Sequence, residues 1–285
     1  MDESLYWAVL SSVFMWTTLY NIVCLLNPQQ SYEWNSRIVT FIHGVVLVTL
    51  SGFFGFLYNP WPFTHPGGKT TIYETLTMIL CIGYFIFDIF WCIYFFENEN
   101  LFMIFHHAVT ILGIFGSLYT ERSGTEVNAS IFGSEMSNPM LQIRWFMRET
   151  GKKYSAVYEL NDFIFMFTFL MCRMVFGSYF MYCELVHPEP LNFFKVGSVC
   201  LWLVSLVFAV QIVNFAVFKY TKMYRRWRSK QSIFGSPEGQ VVGEQKNADK
   251  VVVKSVNGLH TDILNGGNGI GPQHDVRKRF MQNGN

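Results

Sequence analysis

The residues best equipped for chemistry in this chain lie inside long apolar stretches. His106 and His107 are adjacent within Leu101 to Tyr119, His43 lies within Ile38 to Tyr58, Asp88 within Ile72 to Phe96, and Asp162 and Arg173 within Val157 to Tyr182. An ionisable group in a membrane helix costs about 2.5–3.5 kcal/mol on insertion scales, so each needs a partner, a water-filled cavity or a function. A neutral imidazole can take a proton from a hydroxyl or amine, or attack a thioester itself. A carboxylate such as Asp88 can fix its tautomer and stabilise the imidazolium. Successive helical residues point about 100° apart, so His106 and His107 cannot both face lipid harmlessly, and one is expected to face the bundle interior. The chemistry implied is acid–base or nucleophilic catalysis by His106 and His107 with support from Asp88. Two interhelical hydrogen bonds, with Thr110 one turn on, account for the pair equally well at this level. No His-x-x-x-His or comparable spacing supports zinc, so no metal is expected.

A second polar group recurs at helical spacing. Glu135, Asn138 and Gln142 share one helix face, and Pro139 frees a carbonyl one turn back, so the run Ser134 to Pro139 reads as a polar, locally broken helix facing the bundle or a cavity. Counting about 1.5 Å per residue from the cytosolic end of each span puts His43, His106, His107 and Asp162 roughly 8–9 Å deep and Asp88 about 12 Å deep, with Arg144 near the same level. His43, Glu135, Asn138, Gln142, Arg144, Asp162 and Arg173 are therefore candidate substrate contacts. Helix packing is the alternative for the Glu135 face. Arg173, three turns from Asp162, is deep enough to demand a counter-ion, and Glu135 is the expected one.

The elements that must carry these residues are transmembrane helices. Of 285 residues, 51% are hydrophobic and 14% charged, against about a quarter charged in soluble chains, which excludes a soluble enzyme. The net charge of +1, with basic residues clustered only near span ends, argues against a nucleic-acid partner. A helical crossing needs about twenty mostly apolar residues. Leu5 to Leu26, Ile38 to Tyr58, Ile72 to Phe96, Leu101 to Tyr119, Val157 to Tyr182 and Asn192 to Phe218 qualify plainly, separated by turn sequences such as Asn27-Pro28, Asn59-Pro60-Trp61-Pro62, Glu97-Asn98-Glu99-Asn100 and His187-Pro188-Glu189-Pro190. The more polar Ile131 to Met147 is taken as a seventh span because that count puts Arg37, the Arg148, Lys152 and Lys153 loop and the Lys219 to Lys230 cluster on the cytosolic side. The N-terminus is then lumenal or outside, the C-terminus cytosolic, and Asn128-Ala129-Ser130 a lumenal glycosylation sequon close to the membrane. Leu5 to Leu26 reads as a retained helix rather than a signal peptide. Cys24, Cys81, Cys92, Cys172 and Cys200 lie in apolar runs and read as small apolar fillers. Residues 231–285 change to Gly, Asn, Gln and Val with no sustained period, the composition of a disordered tail.

In combination, His43, Gly83-Tyr84-Phe85-Ile86-Phe87-Asp88, His106-His107-Ala108-Val109-Thr110, Glu135-Met136-Ser137-Asn138-Pro139 with Arg144-Trp145-Phe146, and Arg173 resemble the TLC domain family, over roughly residues 35–230. The likeness is greatest to the small TLC domain-containing membrane proteins. It implies an all-α polytopic membrane protein of seven transmembrane helices. The first helix, in residues 1–34, precedes a six-helix barrel-like bundle, and the tail follows. It also implies work on membrane lipids in the endoplasmic reticulum or another endomembrane, with the plasma membrane as the alternative, and a homodimer as a candidate assembly. In the ceramide synthases of this family the histidine pair is implicated in acyl transfer from acyl-CoA to a sphingoid base. On this chain that would make His106 and His107 base or nucleophile and Asp88 their support, with acyl-CoA as co-substrate and no bound cofactor. The synthases' further His-Asp and Asp constellation is replaced here by Gly116-Ser117-Leu118-Tyr119-Thr120-Glu121-Arg122. A lipid-binding or trafficking factor without catalysis is the alternative function.

Overall fold

A computed structural model of the chain describes residues 3–58, 60–94 and 101–234. The turn expected at Glu97-Asn98-Glu99-Asn100 and residues 235–285 of the expected tail lie outside the described residues. Among those described the secondary structure is helical, apart from one isolated antiparallel bridge between Lys69 and Arg122. The helices are α1 (Glu3–Leu26), α2 (Tyr32–Gly52), α3 (Ile72–Tyr94), α4 (Leu101–Thr120), α5 (Gly124–Glu135), α6 (Asn138–Glu149), α7 (Ala156–Phe169), α8 (Gly177–Val186) and α9 (Asn192–Phe234). The chain forms two units that divide within α9 after Val210. The first holds every site considered below. In the second, Lys222, Arg225, Arg226 and Arg228 lie exposed on α9 beside Tyr224 and Trp227.

Local sequence explains where these helices start. Asn27 and Pro28 end α1, and the Ser31 hydroxyl then accepts from the Trp34 amide at 3.1 Å to cap α2. Ser155 caps α7 the same way, taking the Tyr158 amide at 3.1 Å. Five helical stretches among the described residues are long and apolar enough to cross a membrane, Glu3–Leu26, Tyr32–Tyr58, Ile72–Tyr94, Ala156–Val186 and Asn192–Ser229, with Ile104–Thr120 a shorter apolar helix. Two of the five contain π-helical segments, Phe53–Tyr58 after α2 and Leu170–Phe176 between α7 and α8. No periodicity in the sequence announces them.

The expected span Ile131 to Met147 is instead two helices of 12 residues each, α5 and α6, broken at Met136 and Ser137. Pro139 has no amide hydrogen to give the Glu135 carbonyl, which is the physical cause of the break. Each half is about 18 Å long, too short to cross alone, whereas residues 124–149 together reach about 39 Å. α5 packs against α2, α3, α4 and both π-helical segments, so it forms an inner wall of the unit.

The packing is inside-out relative to a soluble protein. Phe14, Leu25, Leu57, Phe90 and Val157 face outward with more than 60% of their surface open, while Asn35, His43, Glu74, Asn128, Glu135 and Asp162 are buried. A lipid-facing exterior and a polar interior are what intramembrane helices require. The apolar part of the interior centres on Trp16, Leu47, Met78, Tyr84, Phe85 and Ile114. α1 docks closely on α3: the Trp16 indole donates to the Leu80 carbonyl at 3.0 Å, and a Cβ on Gly83 would lie 2.1 Å from the Ser12 hydroxyl.

The sequon residue Asn128 is wholly buried, its amide nitrogen donating to the carbonyls of Gly124 at 2.9 Å and Glu74 at 3.4 Å. An amide so held is closed to a glycosyl donor. Endoglycosidase treatment of protein expressed in eukaryotic cells is expected to leave its electrophoretic mobility unchanged, as is Asn128→Gln. A glycosidase-sensitive band lost in that variant would show that Asn128 becomes exposed before folding.

Candidate functional site

The centre of the site is a contact between α3 and α4. His107 Nδ1 lies 3.2 Å from Asp88 Oδ2, with both side chains largely buried. His107 Nδ1 nonetheless makes no hydrogen bond, so this is a close approach of the two groups rather than an aligned hydrogen bond. Asp88 is gripped from its own helix: the Tyr84 hydroxyl lies 3.3 Å from Oδ1, and Cys92 Sγ lies 3.9 Å from Oδ2. All three side chains share one face of α3, since residues four apart on a helix stack over one another.

His106 is buried as well, so the interior holds both imidazoles rather than the one expected. Their ring centroids are 5.9 Å apart, and His106 Nδ1 has no hydrogen-bond partner. Thr110 does not bond either imidazole; its hydroxyl is turned back onto the His106 carbonyl at 2.9 Å.

His43 reaches the same centre from α2. Its ring stacks on Tyr84 with centroids 3.6 Å apart and planes 17° apart, and Trp16 of α1 meets it edge-on at 5.5 Å. Its Nε2 lies 3.8 Å from Glu135 Oε2 at the α5 break. From there a polar chain runs outward. Asn138 donates to Glu135 at 2.8 Å, Gln142 to Asn138 at 2.8 Å, Arg37 to Gln142 at 3.3 Å, and Arg37 pairs with Glu33 at 2.9 Å. The residues expected on one face of α5 and α6 thus do form a ladder, and it leads from the outer Arg37–Glu33 pair to His43.

Three of the sequence candidates do something else. Arg144 Nε donates to Asp162 Oδ1 at 2.5 Å, with both side chains buried, so this pair ties α6 to α7. Arg173 does not pair with Glu135. Its guanidinium donates to the Ser134 carbonyl at 2.8 Å and lies 3.4 Å from the Ser205 hydroxyl. Glu135 accepts from Asn138 instead and acts on Arg173 only through space, beyond ion-pair contact.

Sequence reasoning missed Tyr84, which stacks on His43, donates to Thr40 at 2.8 Å and lies 3.3 Å from Asp88, linking α2 and α3. The available signal was its spacing of four residues before Asp88. It also missed Cys92, one turn after Asp88. Asp88, Cys92 and His107 bring a carboxylate oxygen, a sulfur and a ring nitrogen within 4.8 Å of one another, a donor set able to hold a metal ion that no linear spacing reveals.

A cavity of about 220 Å³ opens beside the centre, lined by Phe85, Thr110, Ile114, Ile131, Glu135 and Leu201 among others. Phe85 lies against the His107 ring, centroids 5.0 Å apart. None of the histidines lines this cavity; its polar groups include Glu126, Glu135 and Glu184, and Phe85 and Glu135 separate it from the His107 and His43 rings.

Fold and site together define an integral membrane protein of helices, with a buried histidine and carboxylate centre near a largely apolar cavity. The chain belongs to the TLC domain family, whose sequence profile matches residues 33–221. Relatives include Protein CLN8 of Rattus norvegicus, 26% identical over 121 residues, which are 42% of this chain and 42% of that protein. TLC domain-containing protein 4 A of Dictyostelium discoideum is 25% identical over 58% of this chain and 67% of its own length. TLC domain-containing protein 4-B of Xenopus laevis is 24% identical over 66% and 72%. The match thus spans less than half the length of rat CLN8.

Proposed function

We propose that this protein works on membrane lipids and transfers an acyl group from a thioester such as acyl-CoA to a lipid acceptor. The observation that carries the proposal is the 3.2 Å contact of His107 Nδ1 with Asp88, set beside an apolar cavity. With Nδ1 turned to Asp88, Nε2 is the nitrogen left for chemistry. It attacks the thioester carbonyl, the C–S bond breaks, and the thiolate leaves. The acceptor hydroxyl or amine then attacks the acyl-imidazolium carbonyl, the C–Nε2 bond breaks, and the acceptor's proton passes to the freed Nε2 and on to the released thiolate, which regenerates the neutral ring. In the direct alternative, Nε2 takes the acceptor's proton while the acceptor attacks the thioester. Asp88 stabilises the positive imidazole in both. His43, Glu135, Asn138 and Gln142 position the acceptor's polar groups, and His106 shares the base role.

The proposed setting is the endoplasmic reticulum or a related endomembrane, with α5 and α6 making one broken crossing among seven. The N-terminus is then lumenal and the basic end of α9 cytosolic, a topology supported by the positive charge after the last span. A second reading, lipid binding or trafficking without catalysis, is favoured by one feature: both ring nitrogens of His43 and Nδ1 of His106 and of His107 are buried without hydrogen-bond partners, polar atoms that a lipid headgroup could satisfy.

Mass spectrometry of the detergent-purified protein, wild type against His106→Ala/His107→Ala, separates the two. Acyl transfer is expected to show as an acyl adduct on histidine, or as acyl-CoA consumption that the double variant loses. A co-purified lipid unchanged by the substitutions, with no turnover, would sink acyl transfer in favour of binding.

A further inference from the structure

Arg173 is a buried charge that acyl transfer leaves unexplained. It sits in the π-helical segment Leu170–Phe176, in the middle of an apolar crossing. Two donors are spent on the Ser134 carbonyl and, at longer range, on Ser205, while Nε is buried without a partner. The Phe169 ring lies 5.2 Å from the guanidinium carbon. Among the described residues no carboxylate comes within ion-pair distance of it. Both acceptors are neutral, and the Glu135 carboxylate acts on the guanidinium only from beyond ion-pair distance, so its donors are left without an anion in contact.

Beside it lies a cavity of about 420 Å³, larger than the one lined by Phe85 and Thr110. Its walls are Phe56, Phe132, Phe176, Phe180, Leu201 and Trp202, with Arg173 as their one charged group. Both π-helical segments contribute to it, Phe56 from one and Arg173 and Phe176 from the other. Such segments are rare and are frequently found at functional sites.

We propose that this cavity binds a free long-chain fatty acid, its carboxylate on Arg173 and its alkyl chain along the aromatic walls. A guanidinium presents parallel donors to the two oxygens of a carboxylate, and the aromatic walls exclude water around the pair. The volume lies near the lower end of the roughly 300–1,000 Å³ of small-molecule sites, which suits one alkyl chain rather than a two-chain phospholipid. The site goes beyond acyl transfer: its one charged group is Arg173, and it adjoins the cavity near the histidines, with which it shares Ser130, Ser134, Ser198 and Leu201.

The test is equilibrium binding of radiolabelled palmitate to the full-length chain in lipid nanodiscs, with hexadecanol as the uncharged probe of the same length. Arg173→Gln is expected to weaken palmitate about tenfold or more and leave hexadecanol unchanged. Gly133→Leu fills the cavity from α5, where a Cβ meets only the Cys172 carbonyl at 3.8 Å, and is expected to weaken both probes. Palmitate affinity unchanged in a monodisperse Arg173→Gln protein overturns the proposal. If that variant does not fold, unchanged palmitate affinity in Gly133→Leu overturns it instead. No saturable palmitate binding by wild type, or lysophosphatidate of equal chain length displacing palmitate at lower concentration, overturns the fatty-acid assignment.

Discussion

His107→Ala is expected to lower acyl turnover by about 10²–10⁴-fold, the range a positioned acid–base group contributes. The geometry singles out His107 over its neighbour because it alone of the pair meets a carboxylate. Asp88→Asn keeps the shape but removes the charge that stabilises an imidazolium. A smaller loss in turnover is expected there, with little change in lipid binding, because the carboxylate acts through the ring. Tyr84→Phe removes the hydroxyl shared by Thr40 and Asp88 and frees the carboxylate to swing. The measurement is single-turnover consumption of acyl-CoA by purified protein in nanodiscs, with the released thiol as the readout. Full turnover in His107→Ala would remove His107 from the reaction; a loss equal in His106→Ala would mean the pair acts as a unit.

The second large effect is on stability. Asp162→Ala leaves Arg144 buried without its carboxylate, and breaking a buried pair on one side costs about 3–5 kcal/mol. Both side chains are almost wholly shielded, 5% and 0% exposed, so solvent cannot take over the lost contact. Replacing both partners together, as Arg144→Met with Asp162→Leu, is expected to recover most of that loss, because two apolar groups need no charge compensation. Thermal unfolding in detergent, followed by tryptophan fluorescence, reads both variants. A single variant as stable as wild type would show that the pair carries no net load between α6 and α7. The same comparison sorts function from framework. If the pair only holds helices together, the double apolar variant keeps its lipid binding; a folded double variant that has lost it would return Arg144 and Asp162 to the substrate contacts.

Much of the protein was legible in its residues. Apolar runs of crossing length, turn residues between them and the basic stretch after the last run together specify helices in a membrane, because each is a local cost settled within a few residues of chain. The break at Met136 and Ser137 was visible for the same reason, since Pro139 removes a hydrogen bond whichever helices surround it. His106, His107, Asp88 and Glu135 stood out as costly groups in lipid, but their cost did not name their partners. That Asp162 belongs to Arg144, that Arg173 rests on a carbonyl, that Tyr84 joins His43 to Asp88, and that Asn128 is sealed are facts of tertiary packing. So are the two π-helical segments and the cavity they help enclose. Sequence determined which polar groups must find company inside the bundle; only the packing of α2 to α9 decided which company. The reason is that a side chain's burial cost is fixed by its own chemistry, whereas its partner is set by the register of a helix far away in the chain.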